Sequence, residues 1–140
     1  MSTILVPVDG SVQSIRAVAA VLAFRSHESY RELFLLNVQP PLLGRTRGYV
    51  THQQLDELYR AEANLALSSA IELIVAAGVP YQQRMVIGAP AEMIATVAQQ
   101  VGASQIFMGT RGRGASAAIL LGSVANQLAS LTDLPLTLVN

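Results

Sequence analysis

The strongest constraint on the fold is an alternation of short apolar runs with longer segments of helical periodicity. Five runs rich in branched apolar residues alternate with four segments whose apolar residues recur every three or four positions. Strands that alternate with helices predict an α/β fold, in which right-handed crossovers build a parallel sheet with helices on both faces. The predicted strands are residues 4–8, 33–38, 79–87, 106–108 and 135–139.

Start and stop residues mark the ends of the predicted helices. Ser11 and Thr51 are suited to cap the first two helices, and Gly78 is suited to end the long second one. Pro90 fits the first turn of the third helix, and the fourth ends near Leu131. The residues predicted to face the core from the first helix are Ile15, Val18, Ala19, Leu22 and Ala23.

Composition narrows the classes of function. The 140 residues are 51% hydrophobic and 13% charged, so residues 1–140 are predicted to fold as a single domain. Nine basic residues balance nine acidic ones, which argues against nucleic acid or a membrane surface as a partner. All nine basic residues are arginines, and this excludes mechanisms that need a lysine, such as a Walker phosphate site or a Schiff base.

The expected location is the cytoplasm. The chain has no cysteine, which fits a reducing compartment and removes cysteine metal sites. Residues 1–7 lack a basic segment, and their apolar run is too short for a signal peptide or a membrane span. With only His27 and His52, far apart in sequence, a zinc site or a Ser-His-Asp triad has little support, and no metal ligand is assigned.

A glycine-rich segment after the fourth predicted strand is the motif that carries chemistry. Residues 109–114 read GTRGRG, and the pair Gly122-Ser123, separated from Gly112 by nine residues, opens the last helix. Glycine lets backbone N–H groups approach an oxyanion, and a helix N-terminus adds unpaired donors and a favourable dipole. Two anion-binding segments therefore lie in one loop and helix.

Three side chains add donors to this segment. Ser123 supplies a hydroxyl, and Arg111 and Arg113 are the only basic residues after Arg84 in the sequence. A phosphate chain is the ligand that this combination predicts. The alternative interpretation is that the glycines only form a strand-to-helix turn and allow close helix packing.

Other nucleotide and phosphate folds match less well. Gly112, Gly114 and Ala117 fit a dinucleotide fingerprint, but that motif belongs after the first strand of its fold. A response-regulator receiver needs clustered acids and a late lysine, whereas Asp9 stands alone after the first strand. A flavin phosphate loop would need a first loop rich in serine and threonine, and Asp9-Gly10-Ser11 does not provide one. Asp9 has a second possible role, which is to form an Asx-turn that caps the first helix.

The order G-x-x-G, nine residues, G-S, together with the opening Pro7-Val8-Asp9-Gly10-Ser11, resembles the ATP-binding branch of the universal stress protein family. The resemblance spans residues 4–139 in element order as well as in motifs. It implies a three-layer αβα fold of Rossmann-like type, with an open parallel five-stranded sheet in the strand order 3-2-1-4-5. Asn37 departs from the family pattern, in which histidine is frequent at this position.

The resemblance also implies which residues bind the nucleotide. The glycine motif would surround the ribose and the phosphates, and the tips of the first two strands would lie against the adenosine. Arg113 is added to the binding residues because it is a basic residue within the glycine motif. The predicted binding residues are Pro7, Val8, Asp9, Val38, Met108, Gly109, Arg111, Gly112, Arg113, Gly122, Ser123 and Val124. The implied cofactor is ATP, with Mg²⁺ held by the phosphates and Ser123.

Assembly and activity are further expectations. Residues Leu136 to Val139 would form an apolar edge strand without a charged side chain to prevent pairing with another copy. Similar proteins dimerise through this strand. The resemblance implies a nucleotide-dependent sensor that responds to stress and offers a surface to a protein partner. No residue is assigned a catalytic role. Slow ATP hydrolysis or group transfer, and a module that binds protein without nucleotide, are the alternatives.

Overall fold

The structure is a computed structural model that describes residues 3–24, 32–41, 51–110 and 122–140. Five strands and four helices alternate along these residues. The strands are β1 (Thr3–Pro7), β2 (Glu32–Gln39), β3 (Tyr81–Ile87), β4 (Gln105–Gly109) and β5 (Leu136–Val139). The helices are α1 (Val12–Phe24), α2 (His52–Ala77), α3 (Pro90–Gln100) and α4 (Ser123–Leu131).

The strands form one parallel sheet in the order β3-β2-β1-β4-β5, which confirms the predicted α/β fold and strand order. The chain moves from β1 outward to β2 and β3 and then returns to the other side of β1 to form β4. The strand order therefore reverses between β1 and β4. In open parallel sheets, ligands bind beyond the carboxyl ends of the strands at this reversal.

Each face of the sheet carries its own apolar core. On one face, Leu33 and Leu35 of β2 pack with buried residues of α1 and α2. On the opposite face, Leu36 of β2 and Ile106 of β4 pack with buried residues of α3 and α4. Because helices cover both faces, the central strands need apolar residues at successive positions, and this explains their uninterrupted apolar runs.

The predicted helix caps are present. The Ser11 hydroxyl accepts a hydrogen bond from the Ser14 N–H at 3.1 Å, so Ser11 caps α1. Thr51 and Gln54 form a reciprocal capping box at the start of α2. Gly78 ends α2 with a φ of 70°, the left-handed conformation that glycine adopts readily.

Two local predictions were wrong. Ala19 and Ala23 are exposed, and the face of α1 that packs on the sheet is turned to include Ser14 and Ala17. Ser14 is tolerated there because its hydroxyl donates to the Ser11 carbonyl at 3.0 Å. Strand β3 begins two residues later than expected, because the N–H of residue 79 is still bonded to the end of α2.

Candidate functional site

The end of β1 lies at the strand-order reversal. The Val8 N–H donates to the Leu36 carbonyl at 2.8 Å, so β1 stays paired to β2 as far as its tip. The Asp9 carboxylate then accepts the Ser11 N–H at 2.9 Å, which forms the Asx-turn that was one of its two predicted roles. Pro7, Val8 and Asp9 are thus held between the sheet and the capped start of α1.

A cleft of about 460 Å³ opens beside these residues, within the usual range for small-molecule sites. Its lining comes from the ends of β1 and β2 and from the first half of α2. The lining residues are Asp9, Asn37, Val38, Gln39, Pro40, Leu58 and Glu62. Two of these described lining residues, Asp9 and Glu62, are acidic, and a carboxylate oxygen can accept hydrogen bonds from a ligand.

Two buried amide side chains form one wall of the cleft. Asn37 is 2% exposed and Gln39 is 8% exposed. The Asn37 amide donates to the Val8 carbonyl at 2.9 Å, and the Gln39 amide donates to Asn37 Oδ1 at 2.9 Å and to the Tyr59 carbonyl at 2.8 Å. This network links the tip of β1, the tip of β2 and the first half of α2.

The sequence-based prediction of binding residues did not include these amides. A signal was present in the sequence, because Asn37 and Gln39 interrupt an apolar strand at alternate positions and at its carboxyl end. Alternate residues of a strand face the same side of the sheet. Leu58 and Glu62 were also missed, since the sequence gives no indication that the first half of α2 borders the cleft.

The two ends of the glycine motif meet next to the end of β4. A Cβ atom placed on Gly122 would lie 2.8 Å from the Thr110 carbonyl oxygen. Thr110 is buried and fixed, because its N–H donates to the Val139 carbonyl and its hydroxyl donates to Asn140 Oδ1, both at 2.9 Å. The structure therefore brings the G-x-x-G start and the G-S end of the motif into contact.

Helix α4 begins at this contact with its first turn uncapped by any described side chain. Gly122 occupies the N-cap position and has no side chain to accept from the first turn. Ser123 is exposed at the first helical position, and Val124 is half-buried against the core between the sheet and α3. The hydroxyl of Ser123 and the N–H groups of the first turn form a set of hydrogen-bond donors suited to an anion.

Gly109 and Met108 have mainly packing contacts in the structure. A Cβ on Gly109 would lie 2.7 Å from Gln13 Cβ and 2.8 Å from the Gln13 carbonyl carbon, so glycine is needed where β4 passes the first turn of α1. Met108 is buried in the core shared with α3 and α4. These contacts fix the end of β4 relative to α1.

Arg111, Gly112 and Arg113, also predicted as binding residues, lie outside the described residues.

The described part of the chain contains neither a cluster of metal-binding side chains nor a membrane-spanning helix. Residues 3–24, 32–41, 51–110 and 122–140 contain no group of three or more His, Cys, Asp or Glu side chains that could hold a metal ion. In the same ranges, no helix is long and apolar enough to cross a membrane.

Comparison with known proteins places the chain in a family. The model of the universal stress protein family matches residues 1–140. A universal stress protein of Thermus aquaticus is 30% identical over 138 residues, which cover 98% of this chain and 97% of the relative.

Solved structures share the fold. A universal stress protein in complex with cAMP is 27% identical, with a TM-score of 0.72 over 99% of this chain and 97% of that one. A universal stress protein family protein of Arabidopsis thaliana with AMP bound is 18% identical, with a TM-score of 0.69 over 99% and 91% of the two chains. The match of the family model over residues 1–140 and the relative of Thermus aquaticus establish that the chain belongs to the universal stress protein family.

Proposed function

We propose that this universal stress protein binds an adenine nucleotide, ATP with Mg²⁺, across the strand-order reversal. The observation that carries the proposal is the contact between Thr110 and Gly122, which brings both halves of the glycine motif together. This contact and the 460 Å³ cleft lie at the same edge of the sheet, where the strands end. The relative in complex with cAMP, at 27% identity, supports an adenine nucleotide as the ligand.

The charges of the site suggest how the nucleotide would be oriented. Asp9 and Glu62 line the cleft, and carboxylates repel phosphates but accept hydrogen bonds from ribose hydroxyl or base amino groups. The donors at the start of α4 suit the phosphates instead. We therefore assign the base and ribose to the cleft, with Pro7, Val8 and Val38 beside them, and the phosphates to Gly122, Ser123 and the Val124 N–H.

The remaining predicted residues complete this assignment. Gly109 and Met108 would support the end of β4 under the nucleotide. Arg111, Gly112 and Arg113 would add backbone and guanidinium donors to the phosphates, as their positions in the motif suggest. Guanidinium groups suit this task because they stay charged and form paired hydrogen bonds.

Mg²⁺ fits this site only as a partner of the nucleotide. No described group of three or more His, Cys, Asp or Glu side chains could hold the ion on its own, whereas Ser123 presents an exposed hydroxyl at the proposed phosphate position. Mg²⁺ commonly binds through substrate phosphates and few protein ligands. When bound, it would neutralise phosphate charge, and Ser123 is the residue that would contact it.

Replacing Ser123 with alanine is expected to weaken ATP binding about tenfold, because a hydrogen bond to a charged group contributes roughly 1.5 kcal/mol or more. Adenosine, which lacks phosphates, should bind the variant and the wild type equally. Calorimetric titration with both ligands measures the difference. Ser130→Ala, at the other end of α4, is the matched control. An equal loss for ATP and adenosine would remove the phosphate assignment from Ser123.

The proposed role is regulatory. A nucleotide that contacts both ends of the glycine motif would favour one conformation of the surface around that motif. A protein partner that binds only this conformation would then respond to the nucleotide concentration during stress. The proposal includes a single domain of residues 1–140 and a cytoplasmic location, in keeping with the absence of cysteine. It assigns no catalytic residue, and slow ATP hydrolysis stays the alternative activity.

We also propose a symmetric homodimer through β5. The carbonyls of Pro135 and Val139 accept hydrogen bonds from the β4 side at 2.9 Å each. Because backbone groups alternate along a strand, the N–H and C=O groups of Leu136 and Leu138 face away from β4. They form the outer edge of the sheet, where a second β5 strand could pair.

A proline at position 138 tests the dimer. Leu138→Pro removes an outward N–H, while Leu138→Ala removes the same side chain but keeps that N–H. Light scattering should give twice the chain mass of 14.9 kDa for the wild type and for Leu138→Ala, and one chain mass for Leu138→Pro. A wild-type mass of one chain at micromolar concentration would contradict the dimer.

A further inference from the structure

The side chains of Thr110 and Asn140 form a contact to which the proposed function assigns no role. The Thr110 hydroxyl donates to Asn140 Oδ1 at 2.9 Å. Thr110 is buried, whereas Asn140 is exposed, so this hydrogen bond joins the end of the core to the surface. A hydroxyl can both donate and accept, and the contact is therefore possible in either orientation of the Asn140 amide.

This contact extends the pairing of β4 and β5 by one residue. Gly109 and Val139 are the last register partners of the two strands. Beyond them, the Thr110 N–H donates to the Val139 carbonyl at 2.9 Å, and the Thr110 side chain adds the bond to Asn140. Two hydrogen bonds to the end of β5 thus hold Thr110 at the point where strand β4 has ended.

The carbonyl of Thr110 lies against the residue at which α4 begins. A Cβ atom on Gly122 would lie 2.8 Å from the Thr110 carbonyl oxygen. Gly122 is the N-cap residue of α4, and its carbonyl accepts the Asn126 N–H at 3.3 Å. A shift of Thr110 would therefore change the packing of the N-cap residue, which directly precedes the donors of Ser123 and Val124.

Building on the proposed function, we infer that Thr110 and Asn140 are positioning residues for the phosphates of the nucleotide. Neither side chain is assigned a contact with the ligand. Their hydrogen bond fixes the Thr110 carbonyl, and this carbonyl fixes Gly122 at the start of α4. Hydrogen bonds weaken steeply when donor and acceptor are misaligned, so donors held in place before binding give a higher affinity than donors that must first be ordered.

Calorimetric titration of variants with ATP and with adenosine tests the inference. Thr110→Val keeps the branched shape of the side chain but removes the hydroxyl, and Asn140→Ala removes its partner. Each variant should bind ATP about threefold more weakly than the wild type, as expected for the loss of one neutral hydrogen bond. Adenosine binding should not change, because the base and ribose are assigned to the cleft. General damage to the fold would weaken both ligands.

The double variant shows whether the two side chains act through one contact. Thr110→Val combined with Asn140→Ala should also bind ATP about threefold more weakly than the wild type, because losses within a shared contact do not add. Thr110→Ser, which keeps the hydroxyl, should bind ATP like the wild type. Thr132→Val is the matched control, since the Thr132 hydroxyl accepts the Leu134 N–H after the opposite end of α4, and it should leave both affinities unchanged.

The outcomes separate this inference from the proposed function. Wild-type ATP affinity in both single variants would overturn the inference. So would an equal loss for ATP and adenosine, or losses that multiply to about ninefold in the double variant, since the two side chains would then act independently. If the wild-type protein binds no ATP, the proposed function itself fails, and the inference fails with it.

Discussion

Gly122→Ala is expected to lower the free energy of unfolding by about 3 kcal/mol and to weaken ATP binding more than tenfold. Gly122 has a φ of 71° and a ψ of 149°, a region that is essentially limited to glycine and costs other residues roughly 1–3 kcal/mol. The new Cβ would also lie 2.8 Å from the fixed Thr110 carbonyl, and crowding of this kind costs roughly 1–3 kcal/mol.

Gly102→Ala is the matched control for this variant. Gly102 has a similar φ of 67°, but a Cβ there meets no atom within 4 Å. It should therefore incur only the conformational cost, about 1 kcal/mol, and leave nucleotide binding unchanged. Urea unfolding and calorimetric titration of both variants measure the difference. Equal stability losses, with ATP binding intact in both, would show that the contact between Gly122 and Thr110 is unimportant.

Gly109→Ala is expected to lower the free energy of unfolding by about 2 kcal/mol through crowding alone. Its φ is not in the positive range, so the cost comes from the 2.7 and 2.8 Å approaches to Gln13, where the backbone of α1 has to move. Displacement of the start of α1 should disturb the capped turn at Asp9 and Ser11, and ATP affinity should fall as well.

A larger side chain at the same position separates crowding from other causes. Gly109→Val should lose more stability than Gly109→Ala, because it adds two methyl groups next to the Gln13 backbone. Urea unfolding measures the series. If the alanine variant unfolds within about 0.5 kcal/mol of the wild type, α1 adapts freely and Gly109 is not required by packing.

The order of elements could be predicted because strand and helix patterns differ in period and because the caps are local. Thr51 and Gln54 lie three residues apart and cap α2 without help from the rest of the chain. The direction of the buried face of α1 was predicted wrongly, because Ala19 and Ala23 are exposed while Ser14 and Ala17 are buried. Ser14 is buried because its hydroxyl has a backbone partner one turn away, and apolar spacing alone does not reveal such a partner.

The cleft could be predicted only in part, because its contacts join residues that are far apart in the sequence, whereas helix caps are local. Gly122 and Gly109 follow from a motif with fixed spacing, and the structure places both ends of that motif together. Asn37 reaches a carbonyl 29 residues away and Gln39 reaches one 20 residues away. Without the strand pairing and the position of α2, neither amide can be assigned to a cleft.

Titration of the wild-type protein with ATP and Mg²⁺ tests the central claim most directly. Saturable heat of binding is expected, together with a rise in the melting temperature, because a ligand that binds only the folded state stabilises it in proportion to the logarithm of its concentration. Adenosine should bind more weakly, because it lacks the phosphates assigned to the start of α4. An absence of both heat and thermal shift at about 1 mM ATP would contradict the claim that this cleft and glycine motif form a nucleotide site.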